Sequence, residues 1–317
     1  MTADRFRLVT RSDFDGLVSA VLFKELDLID EIKFVHPKDV QDGLVDIRQG
    51  DIITNLPYSK NASYVFDHHI SELARVGHKS NSYLNPNAPS ASRVVWETFG
   101  GKDRFKNVSE EMMAAVDKAD TANYTLDEIL HPTGWTLLSF IMDARTGLGR
   151  FHNFRISNYQ LMMNLIEFCR CHDPEEVLDM PDVKERVDLY FSQQEKFKEQ
   201  LKKQTTVYKN LAYVDMLNED VIYAGNRFMV YALFPDVNVS MHALWRVNGQ
   251  RIVYAVGKSI FNRSNIINIG ELLLGYGGGG HANVGTCQID LDQAARVKDE
   301  LIAVLTDPQY TETVEKA

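Results

Sequence analysis

The chain has 317 residues, 44% of them hydrophobic, and a formal net charge of −10. This length suits roughly two domains with separate cores. The charge argues against a protein that coats long duplex nucleic acid, because neutralising phosphates requires many cations, but it does not exclude a small anionic substrate. No apolar run approaches the roughly 20 residues of a membrane span, and Met1 does not open a signal peptide, so a cytoplasmic location is expected.

The N-terminal region begins with a predicted strand over residues 6–10 and a predicted helix over 17–26. Between them lies Asp13-Phe14-Asp15-Gly16. Two carboxylates two residues apart on such a turn can converge on a cation, and the glycine lets the backbone turn tightly. The alternative is that Asp13 or Asp15 simply caps the helix. The pattern alone does not choose between these interpretations.

Three further strands are predicted over residues 32–36, 51–54 and 62–66. Polar groups follow the strand ends at 11–15, 54–55 and 67–69, where the last group is Asp67-His68-His69. The carboxyl ends of parallel strands meet at one edge of a sheet, so these groups are expected to assemble one site. A surface turn with two histidines is the alternative, but one carboxylate and two imidazoles are typical metal ligands. The sequence therefore predicts a parallel sheet with a metal site at its edge.

Helices are predicted over residues 91–99, with Ser90 as N-cap, and over 109–124. In the second helix Asp117 and Asp120 lie one turn apart on the same face. Asp120 is the better candidate for the site because it lies at the helix end. Leu-, Met- and Phe-rich helical stretches over 135–170 are interpreted as core.

The C-terminal third has a different pattern. A charged, glycine-free segment predicts a linker helix over 186–208, and strand-like alternation follows at 212–214, 221–224, 230–234, 242–247 and 251–256, with a hairpin turn at Asn248-Gly249. The expected domains are 1–185, 186–208 as the linker, and 209–317 as a smaller α+β domain. A helix near 269–274 precedes four consecutive glycines and His281. Glycine backbone N–H groups can wrap a phosphate, and a flexible loop is the alternative.

Four motifs together resemble one known family. They are Asp13-x-Asp15-Gly16, Asp67-His68-His69, Ala119-Asp120-Thr121 and the stretch from Gly277 to His281. The chain resembles the DHH family of phosphoesterases, in the exopolyphosphatase-related and nanoRNase-like subgroup with a C-terminal DHHA1-type domain. The resemblance implies a doubly wound parallel sheet in the N-terminal domain, a cleft between two lobes and a divalent metal, usually manganese, with magnesium as the alternative. It also implies that the Gly-rich motif and an arginine bind the phosphate end of the substrate.

The resemblance assigns roles residue by residue. The implied metal ligands are Asp13, Asp15, His68, Asp120 and Asn55. The candidate catalytic residues are Asp67, His69 and Arg11, and Arg11 is expected to offset phosphate charge in place of a second cation. The implied substrate-binding residues are Ser259, Arg263, Gly278, Gly279, Gly280 and His281.

Two positions depart from the family pattern. Arg11 stands where the family has a ligand histidine, and Asn55 stands where it has a bridging aspartate. Arginine stays protonated and cannot bind a cation, and an amide oxygen is a weaker ligand than a carboxylate. One metal site is therefore expected rather than two. A single-metal enzyme, two metals that bind only with substrate, and loss of hydrolysis all stay open.

The expected function is hydrolysis of a small phosphorylated or oligonucleotide-type substrate by a metal-dependent phosphoesterase. The alternatives are a catalytically weakened regulatory module that binds a nucleotide or phosphate, and an exopolyphosphatase. The expected partner is that small substrate or a short oligonucleotide, with no membrane, and the chain is compatible with a homodimer.

Overall fold

A computed structural model describes residues 5–151, 153–246 and 249–312. The chain separates into two compact units, Met1–Tyr190 (unit 1) and Phe191–Ala317 (unit 2). Asn248, where the hairpin turn is predicted, lies outside the described residues. Within the described part, no helix is both long enough and apolar enough to cross a membrane.

Unit 1 is built on a five-stranded parallel sheet in the order β2-β1-β3-β4-β5. The strands are β1 (Phe6–Thr10), β2 (Ile29–Phe34), β3 (Asp51–Thr54), β4 (Tyr64–Asp67) and β5 (Ser82–Leu84). The central residues of β1, β3 and β4 are apolar and buried on both faces, as a doubly covered parallel sheet requires: Leu8, Ile52 and Phe66 on one face and Val9, Ile53 and Val65 on the other. The strand order reverses between β1 and β3. Open α/β sheets place their ligands at this switch point, outside the carboxyl ends of the strands.

Ten helices accompany this sheet in the described part of the chain. They are α1 (Phe14–Glu25), α2 (Pro37–Gln41), α3 (Ile70–Val76), α4 (Ala91–Thr98), α5 (Glu110–Thr121), α6 (Leu126–Leu130), α7 (Gly134–Met142), α8 (Asn158–Phe168), α9 (Pro174–Asp179) and α10 (Pro181–Gln204). Helix α1 is almost wholly buried and packs against α4, α5 and α8. Ser90 caps α4 as predicted, because its hydroxyl accepts a hydrogen bond from the N–H of Arg93, and Ser109 caps α5 in the same way.

Unit 2 contains a six-stranded mixed sheet in the order β10-β11-β9-β8-β7-β6. The strands are β6 (Thr205–Tyr208), β7 (Leu211–Asp215), β8 (Val239–Trp245), β9 (Arg251–Lys258), β10 (Gly279–His281) and β11 (Val284–Asp290). The helices are α11 (Met229–Leu233), α12 (Ile269–Leu274) and α13 (Leu291–Leu305). The apolar faces of α12 and α13 form one core with alternate residues of β7, β8, β9 and β11. A doubly wound domain followed by a smaller α+β domain confirms the predicted fold class.

Three local predictions were wrong. The helix expected to reach residue 208 ends at Gln204, because Thr205–Tyr208 pairs antiparallel with β7. The segment 221–224 is not a strand, since its backbone groups bind the side chains of Gln193 and Gln200. The segment predicted as a strand over 230–234 lies largely in α11, and the hydroxyl of Tyr231 hydrogen-bonds to Ser240 and Gly257.

Candidate metal centre

The segments that follow β1 and β4 and the end of α5 bring a cluster of acids and histidines together. Within the described residues, ligand atoms of Asp15, His68 and Asp120 all lie within 4.8 Å of one another. The same holds for Asp67, His68 and His69. His68 belongs to both groups and lies directly after β4. The predicted convergence of the N-terminal motifs is therefore present in the fold.

Asp15 reaches the cluster through a tight turn that only glycine permits. A Cβ at Gly16 would lie 2.0 Å from the carbonyl oxygen of Arg11. The carboxylate of Asp15 accepts hydrogen bonds from the backbone N–H groups of Ala91 (3.1 Å) and Ser92 (2.8 Å) at the start of α4. Burial and the neighbouring carboxylates nevertheless raise the pKa of Asp15 to about 7.

His68 and Asp120 form the other half of this group. Nδ1 of His68 lies 3.2 Å from the carbonyl oxygen of Ala88, so a proton on Nδ1 is held there and Nε2 points to the cluster. Nε2 lies 2.8 Å from Oδ2 of Asp120. Burial disfavours the charged imidazole, but Asp120, Asp15 and Asp67 outweigh it and raise the pKa of His68 to about 9. Burial likewise opposes ionisation of Asp120, and the contact with His68 keeps its pKa below the usual value.

The donor set fits a divalent cation. Nε2 of His68 is buried and lies 2.8 Å from Oδ2 of Asp120, so the two atoms can bind one cation together. Carboxylate oxygens and an imidazole nitrogen directed at one point are ligands that manganese and similar ions accept.

Arg11 and Asp13 form an ion pair beside this group. Nε of Arg11 lies 3.0 Å from Oδ2 of Asp13, and Oδ1 of Asp13 accepts a hydrogen bond from the N–H of Gly16. Burial raises the pKa of Asp13 despite the attraction of Arg11. Asp13 is thus the N-cap of α1, the alternative raised from the sequence, and it is not among the three converging ligands. Its role as a ligand stays a prediction.

Asn55 and Asp67 lie at the ends of the adjacent strands β3 and β4. The N–H of Asn55 donates to the carbonyl oxygen of Phe66, at 3.1 Å. Both side-chain polar atoms of Asn55 and Oδ2 of Asp67 are buried without a hydrogen-bond partner among the residues that the structure describes. Oδ1 of Asp67 lies 2.7 Å from Nδ1 of His69. Asp67 therefore orients His69. The side-chain polar atoms of Asn55 and Oδ2 of Asp67 are available at this strand edge for a ligand.

Asp117, the acid not chosen from the sequence, connects two helices of the site. Its carboxylate accepts hydrogen bonds from the hydroxyl of Ser90 (2.7 Å) and from Nε of Arg93 (2.9 Å). Helix α4 holds Asp15 through its first N–H groups, and α5 carries Asp120. Asp117 thus fixes the two helices that position two of the three converging ligands.

Sequence reasoning missed Arg145, in the loop after α7. Partial burial opposes its charge, but Asp143, Asp13 and Asp120 raise its pKa, which places this guanidinium in electrostatic range of the site acids. The only signal in the sequence was a polar segment, Asp143-Ala144-Arg145-Thr146-Gly147, directly after a buried apolar helix. Neither spacing nor a motif connected it to residues more than 20 positions away.

The predicted substrate-binding residues lie in unit 2. Ser259 is buried and its hydroxyl accepts from the N–H groups of Phe261 and Asn262, while Arg263 is exposed. The second half of the glycine run belongs to the edge strand β10, and a Cβ at Gly280, or at Gly278 just before the strand, would lie 2.2 Å from a carbonyl oxygen of β11. Gly279 and the exposed His281 belong to the same strand. Packing thus explains part of this glycine run, and the binding roles stay predictions.

These features define a two-unit α/β protein with a carboxylate–imidazole centre at the switch point of a parallel sheet. No protein-family model matches the chain, and a search of curated proteins gives no match. Among solved structures, the pGpG-specific phosphodiesterase PggH from Vibrio cholerae is 57% identical over 95% of this chain and 99% of its own, with a TM-score of 0.82. RecJ from Thermus thermophilus, in complex with Mn²⁺, is 14% identical over 99% of this chain and 53% of its own, with a TM-score of 0.51, and shows the fold alone.

The chain belongs to the DHH family of phosphoesterases, the family to which its motifs pointed. It is a phosphoric ester hydrolase.

Proposed function

We propose that the chain is a phosphodiesterase that hydrolyses the linear dinucleotide pGpG to two molecules of GMP. The similarity to PggH supports this substrate, because 57% identity extends over 95% of the chain. A small anionic substrate also suits a protein with a net charge of −10 better than a long nucleic acid does. The cytoplasmic location and the homodimer considered above stay predictions.

We propose further that the enzyme requires one divalent cation, manganese with magnesium as the alternative, held by Asp15, His68 and Asp120. The single observation that carries this proposal is the convergence of their ligand atoms within 4.8 Å. A bound cation would supply Lewis acidity toward the phosphate and the attacking water. The ion pair of Arg11 with Asp13 supports one cation rather than two, since a guanidinium already neutralises Asp13.

The remaining residues of the cluster bind phosphate oxygens or orient a neighbouring side chain. Arg11 is suited to the phosphate oxygens, because a guanidinium donates charge-assisted hydrogen bonds in a fixed plane. Asp67 holds His69 through Nδ1, so that the imidazole can transfer a proton to or from the phosphate oxygens. Arg263 and His281 are retained as candidates for phosphate binding in unit 2.

Turnover tests the substrate and the metal requirement together. Purified protein is incubated with manganese and pGpG, other dinucleotides, cyclic dinucleotides, phosphoadenosine phosphate or polyphosphate. We expect GMP from pGpG, no product with EDTA, and at least about a 100-fold lower rate for His68→Ala. The matched control is His78→Ala, at an exposed histidine that follows α3. Preferred cleavage of polyphosphate would favour the exopolyphosphatase alternative instead.

The number of cations is tested separately. Anomalous scattering from a manganese-soaked crystal should give one peak beside His68. Two peaks would show that Asn55 and Asp13 bind a second cation after all.

A further inference from the structure

The segment that follows β9 in unit 2 carries Arg263, the arginine retained above as a candidate for phosphate binding. Residues 259–265, here called the Arg263 loop, are irregular apart from one isolated bridge between Asn265 and Thr311. A side chain on an irregular loop is held precisely only when other groups fix the loop, because no helix or strand supports it. The contacts of this loop therefore decide how well Arg263 is placed.

Hydrogen bonds within the loop set the direction of the Arg263 side chain. The hydroxyl of Ser259 accepts from the N–H groups of Phe261 (3.2 Å) and Asn262 (3.0 Å). Nε of Arg263 donates to the carbonyl oxygen of Ile260 at 3.1 Å. Arg263 is exposed and forms no ion pair within the described residues. Its two Nη groups thus stay available for the paired hydrogen bonds that a guanidinium donates to phosphate.

Asn238, directly before β8, contacts both ends of the Arg263 loop and is only 1% exposed. Its backbone carbonyl oxygen accepts from the N–H of Ser259 at 2.9 Å. Its Nδ2 donates to the hydroxyl of Ser264 at 2.9 Å. Its Oδ1 accepts from Nδ2 of Asn265 (3.3 Å) and of Asn210 (2.7 Å). One buried side chain therefore joins the loop to the start of β8 and to the residue before β7.

Ser264 extends this network across Arg263. Its hydroxyl donates to Oδ1 of Asn262 at 2.8 Å, so the residues on either side of Arg263 are joined through their side chains. Nδ2 of Asn262 in turn lies 3.3 Å from the carbonyl oxygen of Asp236. A buried amide is costly unless its polar atoms are paired, and a network with every member paired favours one arrangement of the chain. The loop is thus held in one conformation around Arg263.

We propose that Asn238 is a positioning residue for the substrate: it fixes the Arg263 loop, and the guanidinium of Arg263 is thereby preorganised for a phosphate of the dinucleotide. This inference rests on the proposed function. Preorganisation strengthens binding because less conformational entropy is lost when the ligand binds. The loss of Asn238 should therefore weaken substrate binding and leave the chemistry at the metal centre of unit 1 unchanged.

Steady-state kinetics on pGpG separate binding from chemistry. We expect Asn238→Ala to raise KM about 3- to 10-fold with kcat unchanged. Ser264→Ala, a smaller change to the same network, should shift KM in the same direction and serves if Asn238→Ala folds poorly. The matched control is Gln200→Ala. Gln200 is also a buried amide of unit 2, but it binds the backbone of Val221 and Tyr223, and its loss should lower stability without changing KM.

A double-mutant cycle tests whether Asn238 acts through Arg263. Affinities for pGpG are measured in EDTA for the wild type, Asn238→Ala, Arg263→Gln and the double variant. We expect each single change to weaken binding and the double variant to bind no more weakly than Arg263→Gln alone. Additive losses, an unchanged affinity in both Asn238→Ala and Ser264→Ala, or an equal loss in Gln200→Ala would overturn the inference.

The same binding measurement separates this inference from the proposed function. A wild type that binds pGpG without hydrolysing it would refute only the proposed function, and the non-additive pattern would still support the role of Asn238. A wild type that does not bind pGpG would overturn the inference as well.

Discussion

Gly16 is required by a contact and not by an unusual backbone angle. A side chain there would collide with the carbonyl oxygen of Arg11 at 2.0 Å, and a backbone oxygen cannot rotate away. We expect Gly16→Ala to lower the free energy of unfolding by about 1–3 kcal/mol and to weaken manganese binding, because the turn positions Asp15. Chemical denaturation and a manganese titration measure the two effects.

A matched control exists in unit 2. At Gly279 the nearest atom to an added Cβ is a leucine methyl group 3.8 Å away. Gly279→Ala should therefore leave stability nearly unchanged. Equal effects of the two substitutions would contradict the steric argument.

Arg11 and Asn55 are the two positions on which the proposal of one cation rather than two depends. Replacing Arg11 by histidine and Asn55 by aspartate supplies two ligands and removes one positive charge. We expect the Arg11→His/Asn55→Asp double variant to bind two manganese ions per chain instead of one, measured by metal analysis after gel filtration. A count that stays at one would mean that neither position faces a second cation site.

Residue-level prediction from the sequence worked where a motif placed ligands at strand ends. Asp15, His68 and Asp120 converge as expected. The ion pair of Arg11 with Asp13 and the position of Arg145 depend on side-chain contacts across the fold. Local pattern carries no information on such contacts.

At the scale of elements, Asp117 joins α4 to α5. Asp117→Asn would remove the charge that Arg93 faces and weaken both hydrogen bonds. We expect a loss of about 1–3 kcal/mol in the free energy of unfolding and a 10- to 100-fold weaker manganese affinity. Asp103→Asn, on the exposed turn between the two helices, is the control. Lower stability with an unchanged manganese affinity would show that the connection is structural only.

Elements with strong caps or long apolar stretches were predictable, and short ambiguous ones were not. Ser90 and Ser109 defined the starts of α4 and α5. The segments 205–208 and 230–234 were assigned the wrong type because four or five residues do not resolve the helical from the strand period. Residues 205–208 form a strand because they pair with β7, and in the helical segment 230–234 the hydroxyl of Tyr231 contacts Ser240.

At the scale of the whole molecule, the two units should respond to pH in opposite directions. In unit 2, burial lowers the pKa of His242 on β8 to about 4. Its stabilising contribution is therefore complete above about pH 6.5 and is lost as the pH falls toward 4, by at most about 3 kcal/mol. Hydrogen exchange of β8 and β9 amides at pH 7 and 4.5 measures this loss of stability. His242→Gln should flatten this dependence, whereas His78→Gln should not.

In unit 1 without metal the sign is reversed. Folding raises the pKa of His68 to about 9, so its contribution is complete below about pH 6.5 and is lost as the pH rises through 9. Hydrogen exchange of β1 and β3 amides in EDTA should therefore show lower stability at pH 9 than at pH 6.5. His68→Gln should reduce this difference, and a difference that persists unchanged would contradict the assignment to His68.

The backbone at Asn55 has an evolutionary consequence. Its φ of +54° is a left-handed conformation that asparagine and aspartate tolerate better than other side chains with a Cβ. A lineage can therefore exchange amide for carboxylate at this strand end by replacing a single atom group, while the chain path stays the same. The charge of this strand end is thus adjustable by one substitution that leaves the backbone unchanged.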